Sequence, residues 1–152
     1  MITFRLTKEQ YKYDLSGKGS EITGGRWNSK GVAVLYTSFN RALCMAEVLV
    51  HQPAGKLSSD FWLTSIECPQ EILSHEVNIN DLPDNWRIFP PPLGLKAIGD
   101  SFILEQKNAG LIVPSAVVPG EKNLLLNPKH PDFCNIQIIQ SEIFVFDSRL
   151  IR

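Results

Sequence analysis

Long apolar runs, blocks of like charge and clustered cysteines are all missing from this sequence, and each absence removes a class of protein. No uninterrupted apolar stretch approaches the ~20 residues needed to span a bilayer. The N-terminus, Met1-Ile2-Thr3-Phe4-Arg5, lacks the charged segment and apolar core of a secretory signal. A soluble cytoplasmic protein without membrane contact is expected. Lys+Arg total 15 against 16 for Asp+Glu, a formal charge of -1, and no basic block forms the electrostatic footprint that direct nucleic-acid binding needs. The cysteines, Cys44, Cys68 and Cys134, are odd in number and far apart, with neither CxxC nor zinc-finger spacing, so they read as reduced, mostly buried thiols.

What is present is core-forming material. Apolar residues make up 43% of the 152, with 8 Phe, 3 Trp and 3 Tyr, which suits one compact domain over residues 1–152 and argues against extended disorder. Ile2 to Leu6 alternates as a strand does, and Tyr11 to Lys30, polar and glycine-bearing, reads as a loop. Val32 to Tyr36 is an apolar run suited to a buried strand, followed by Thr37-Ser38 as a hydroxyl N-cap. The stripe Phe39, Leu43, Ala46, Val50 then predicts a helix that stops near His51 and Pro53. Phe61 to Glu67 predicts another strand. Val77 to Pro92 is the longest loop, with Trp86 and Phe89 as its anchors to the core.

A second helix is expected between Leu95 and Asn108, weakened by Gly99 and closed by Gly110 as a left-handed cap. Pro114-Ser115 interrupts an apolar run, which places Ser115 at a strand irregularity. Ile136 to Ile139 and Ile143 to Phe146 are strand-like. Strands and helices mingle without βαβ alternation, so the fold class is α+β.

Four places suggest chemistry. In Gly24-Gly25-Arg26-Trp27-Asn28, glycines permit close backbone approach, Arg26 offers a charged fork suited to phosphate oxygens and Trp27 a flat surface. The loop lacks GxGxxG and GxxxxGK[ST], so a nucleotide-handling loop and a plain structural turn both remain open. Glu47 falls at the edge of the apolar stripe, where a carboxylate is partly desolvated; it is either functional or a boundary residue that snorkels to water or pairs with Arg41 or His51. Tyr36 ends the strand before that helix, as a cleft residue or as a half-buried core aromatic. Ser115 has no nucleophile-elbow setting, and a ligand hydrogen bond suits it better. His51, His75 and His130 are scattered, and His130-Pro131-Asp132 reads as a turn, so no metal site is expected.

Taken in order, Gly24-Gly25-Arg26-Trp27-Asn28, Val34 to Ser38, Ala42 to Glu47, Val113-Pro114-Ser115, Asn123, Asn127-Pro128 and His130-Pro131 resemble the RES domain family, named for an Arg, a Glu and a Ser. The resemblance runs over nearly the whole chain; Ser29 departs from it, standing where many members have Pro. It implies a fold similar to the ADP-ribosyltransferase toxins and cleavage of NAD at the nicotinamide–ribose bond by a glycohydrolase or phosphorylase, with no metal and no cofactor besides NAD as substrate. By position, Glu47, Arg26, Tyr36 and Ser115 match the family's catalytic residues, and Arg5, Gly25 and Trp27 its substrate-binding ones. It further implies a toxin neutralised by an Xre-type helix-turn-helix antitoxin that carries the DNA contacts; a homodimer within such a complex is compatible with the sequence. Transfer of ADP-ribose to a host protein and a non-catalytic partner-binding module are the alternatives.

Overall fold

The computed structural model describes residues 1–53 and 60–150. Seven strands, β1 (Ile2–Lys8), β2 (Leu35–Ser38), β3 (Phe61–Glu67), β4 (Leu73–Glu76), β5 (Gly110–Pro114), β6 (Lys122–Leu126) and β7 (Gln137–Phe144), form one sheet in the order β4-β5-β6-β2-β1-β3-β7. Among the described residues three α-helices accompany it: α1 (Lys18–Thr23), α2 (Arg41–Leu49) and α3 (Leu93–Glu105). Only β4 and β5 run parallel; the other neighbours are antiparallel, and the expected α+β class is the observed one.

The join between β1 and β2 positions the site. β1 pairs with β3 along its whole length, from Ile2↔Glu67 to Lys8↔Phe61, whereas it meets β2 at the single register Phe4↔Ser38. The sheet is thus two ladders sharing one rung, and beyond it toward Lys8 the hydrogen-bonding continues on one side only. Helix α2 packs over this join, against β1 and β2. Its buried residues are Leu43 and Cys44; Cys44 clusters with Leu6, Phe61 and Leu63 under β1 and β3. A larger cluster of Trp27, Trp86, Leu95, Ile103, Val113 and Leu125 packs around α3.

Several local expectations change. The Tyr11–Lys30 segment contains α1, opened by Gly17 at φ 67. The strand expected from Val32 starts only at Leu35, because side chains hold the preceding backbone: Ser20 Oγ donates to the Val34 carbonyl and accepts from its N–H, and Asn28 Nδ2 donates to the Val32 carbonyl. The N-cap of α2 is Asn40, whose Oδ1 accepts from Leu43 N at 2.7 Å. Thr37 and Ser38 are engaged across the sheet with Leu124 O and Asn123 Oδ1 instead. Val50 lies past the helix and is exposed.

Trp86 is buried as expected, but Phe89 is 80% exposed, so one anchor and not two holds that loop. Helix α3 ends on Gln106 in the left-handed region (φ 47), and Gly110 begins β5. Gly99, which by propensity weakens α3, is required by packing: a Cβ there would lie 1.7 Å from the Trp27 carbonyl oxygen. The two strand-like segments near the C-terminus join into β7. Cys44 and Cys68 are buried and Cys134 is exposed. No helix among the described residues is long and apolar enough to cross a membrane.

Candidate active site

A cleft of about 440 Å³ opens where β1 and β2 part, lined on one side by Phe4 to Lys8, on the other by Val34 to Ser38, and roofed by Cys44, Glu47, Val48 and His51. Arg5, Tyr36 and Glu47, residues far apart in sequence, line it together, with Asn123 beside them.

Glu47 is half-buried and bound from two sides on one oxygen. Ser115 Oγ donates to Oε1 at 2.7 Å and Asn123 Nδ2 donates to the same atom at 2.6 Å, while none of the described residues donates to Oε2. Neither pairing expected for a mere boundary residue forms: Arg41 pairs with Glu142 at 2.7 Å, and His51 makes no ion pair with Glu47 among the described residues. The irregularity at Pro114-Ser115 is the end of β5, and the turn beyond it fixes the serine. Ser115 Oγ accepts from Val117 N (3.1 Å) and Val118 N (3.0 Å). With one proton and two lone pairs engaged, its hydrogen-bonding capacity is filled. In this structure Ser115 holds Glu47.

The glycine loop is built around Asn28, which is wholly buried. Its Nδ2 donates to the carbonyls of Ser20 (2.9 Å), Val32 (2.8 Å) and Ser29 (3.2 Å), and its Oδ1 accepts from Tyr36 Oη (2.7 Å). Tyr36 Oη also accepts from Trp27 N at 3.1 Å. Burial pushes the Tyr36 phenol well above its ordinary value, so it remains a donor. Gly25 is necessary here: a Cβ would lie 2.5 Å from Tyr36 Oη and 2.8 Å from Asn28 Oδ1. On the far side, Asp100 of α3 accepts from Ser29 N at 2.8 Å.

Both arginines hold main chain. Arg5 Nη1 donates to the carbonyls of Tyr11 (2.9 Å) and Asp14 (2.7 Å), and burial lowers its guanidinium from the ordinary value, with Asp14 acting the other way. Arg26 does not line the cleft. Its guanidinium is turned onto the carbonyls of Trp86, Arg87 and Ile88; burial lowers it, opposed first by the charge of Glu47. Trp27 is 3% exposed and its ring belongs to the core, so the flat surface expected for stacking is not presented to the cleft. Sequence reasoning gave Asn123 and Ser38 no role beside Glu47: Asn123 donates to it, and Ser38, read as a cap, reaches Asn123 through the pairing of β2 with β6. Among the described residues no group of three or more His, Cys, Asp or Glu side chains gathers as a metal site.

The arrangement is a half-buried carboxylate with one oxygen held and the other open to a cleft where an antiparallel ladder splits. The RES domain model matches residues 2–147, and the chain belongs to the RES domain family. It is 43% identical over 141 residues to the "Prs ADP-ribosylating toxin" of Sphingobium sp. (strain YBL2), covering 91% of this chain and 88% of the relative. It is 38% identical over 152 residues to the "Toxin Res" of Yersinia enterocolitica, covering 99% of each. In fold it is similar to a chain from the crystal structure of the M. tuberculosis MbcT–MbcA toxin–antitoxin complex, with a TM-score of 0.78 at 21% identity, over 95% of this chain and 84% of that one.

Proposed function

We propose that this chain is the toxin of a toxin–antitoxin pair and that it cleaves NAD at the nicotinamide–ribose bond. The observation that carries the reading is the Glu47 carboxylate, braced on Oε1 by Ser115 and Asn123 and facing the cleft that Tyr36 and Arg5 share. Nicotinamide leaves as a neutral base, taking the electron pair of the C–N glycosidic bond and developing positive charge on the ribose carbon. A fixed negative charge beside that carbon stabilises the transition state more than the ground state. Glu47 supplies it. The acceptor oxygen, from water or phosphate, then forms the new bond to the ribose carbon, and a water acceptor releases its proton.

Tyr36, with its hydroxyl fixed by Asn28, offers a ring face for the nicotinamide. Arg5 and Arg26 are the candidates for the diphosphate, and the two are unequal in this form. Arg5 already lines the cleft, whereas Arg26 reaches a ligand only by releasing the carbonyls of Trp86 to Ile88. Gly25 keeps the loop close to Tyr36, and Trp27 contributes its backbone N–H. A neutralising antitoxin of the Xre helix-turn-helix kind would cover the cleft and make the DNA contacts, and the cytoplasm, where NAD is abundant, is the compartment that suits this activity.

Nicotinamide release by the purified chain, with and without phosphate and beside Glu47→Gln, tests the reading. Release that disappears in the variant is expected, with phosphate stimulation marking a phosphorylase. A folded wild-type chain that leaves NAD intact overturns it. The name of the Sphingobium relative favours a second reading, ADP-ribose transfer to a protein. That reading predicts labelled ADP-ribose on protein and uses the same Glu47.

A further inference from the structure

Glu47 is held by residues whose own orientation has a visible cause. Ser38 and Asn123 face each other across the β2–β6 ladder, and Ser38 is also the residue at which β1 joins β2. Ser38 Oγ donates to Asn123 Oδ1 at 2.7 Å. An amide whose oxygen is taken in this way must present its nitrogen on the other side, and Asn123 Nδ2 does so toward Glu47 Oε1 at 2.6 Å. Ser38 is 4% exposed, so this contact is shielded from competing water. Ser115 donates to the same oxygen from just past the end of the neighbouring strand β5, where Val113 pairs with Asn123. Two donors on one oxygen, each fixed by a further partner, leave the carboxylate one orientation, with Oε2 the atom available to a ligand.

We infer that Asn123 and Ser38 are positioning residues of the reaction, acting through Glu47 and setting which carboxylate oxygen faces the substrate. The inference rests on the proposed NAD chemistry for its catalytic consequence, but the relay itself stands on geometry.

The test uses the full chain. Ser38→Ala removes the hydroxyl and leaves Asn123 free to turn; kcat for NAD consumption should fall roughly tenfold, the value of about one hydrogen bond, with KM within about twofold and an unchanged far-UV spectrum. Ser38→Thr, which keeps the hydroxyl, should recover most of the loss, an outcome that a simple packing role would not give. Asn123→Ala should lower kcat roughly a hundredfold, again with little change in KM. Equal kcat in Ser38→Ala and wild type overturns the inference, as does a loss confined to KM. In parallel, the Glu47 side-chain carboxyl carbon resonance, assigned by its disappearance in Glu47→Gln, should shift in Ser38→Ala and return in Ser38→Thr. That measurement needs no turnover: an unmoved resonance overturns the relay. An inactive wild type with a moved resonance overturns the NAD reading and leaves the relay standing.

Discussion

Two polar networks flank β2, and they differ in what they leave over. The Asn28 network is closed: its amide nitrogen is bound to three carbonyls, its oxygen to Tyr36, and Tyr36 in turn to the Trp27 N–H. The Glu47 network is open, with two donors converging on Oε1 and none of the described residues reaching Oε2. A buried polar group with every hydrogen bond made contributes shape and rigidity, because leaving any of them unmade is costly. A carboxylate with unused acceptor capacity at a cleft wall is where a ligand can gain energy. The first network builds the loop, and the second faces the cleft.

The sharpest way to separate them is to disable each in turn. Glu47→Gln keeps an oxygen for Ser115 and Asn123 and removes only the charge, so turnover should drop on the order of a thousandfold while the melting temperature is retained. Asn28→Ala should do the opposite, orphaning several buried carbonyls and costing about 3 kcal/mol of stability, measured by urea unfolding. A Glu47→Gln protein that melts early would collapse the distinction.

Tyr36 belongs to the Asn28 network and also lines the cleft that Glu47 faces, which sharpens the comparison. Tyr36→Phe deletes only the hydroxyl and should cost about 1–2 kcal/mol, whereas Tyr36→Ala removes in addition the ring face at the cleft and should raise KM for NAD. Cys44, in the roof of the cleft, gives a pH effect. Burial holds its thiol up to about 12, against an ordinary value of about 8.5 in the unfolded chain. Its contribution is complete below the unfolded value and lost as pH rises toward the folded one, so stability should decline above about pH 9, less steeply in Cys44→Ala. The smallest effect is chemical: alkylation of the native protein at neutral pH should stop at Cys134, the exposed thiol, without loss of fold.

Legibility in the sequence followed the range of the forces involved. The limits Phe61–Glu67 were readable because alternation is a local pattern that burial on one face imposes, and α2 because its stripe recurs at helical spacing. Glu47 stood out for the same reason, as a charge at the edge of that stripe. Failures came where specific side-chain hydrogen bonds and close packing, which periodicity does not encode, took hold of the backbone. Ser20 and Asn28 delay the start of β2, Asn40 displaces Thr37-Ser38 as the cap, and Trp27 makes a virtue of Gly99. Arg26 was noticed for its charge, yet nothing nearby in the sequence announces the carbonyls of Trp86 to Ile88 that hold it.

By itself the sequence determined the α+β class, the helix that carries Glu47, and membership of the RES domain family, because periodicity and ordered motifs are properties of the chain alone. Only the tertiary structure decided that Glu47 meets Ser115 and Asn123, that Trp27 serves the core, and that the cleft lies where β1 and β2 share one rung. Contacts 68 and 76 residues apart along the chain have no local signature; they exist because strand pairing and burial bring those side chains to the same place.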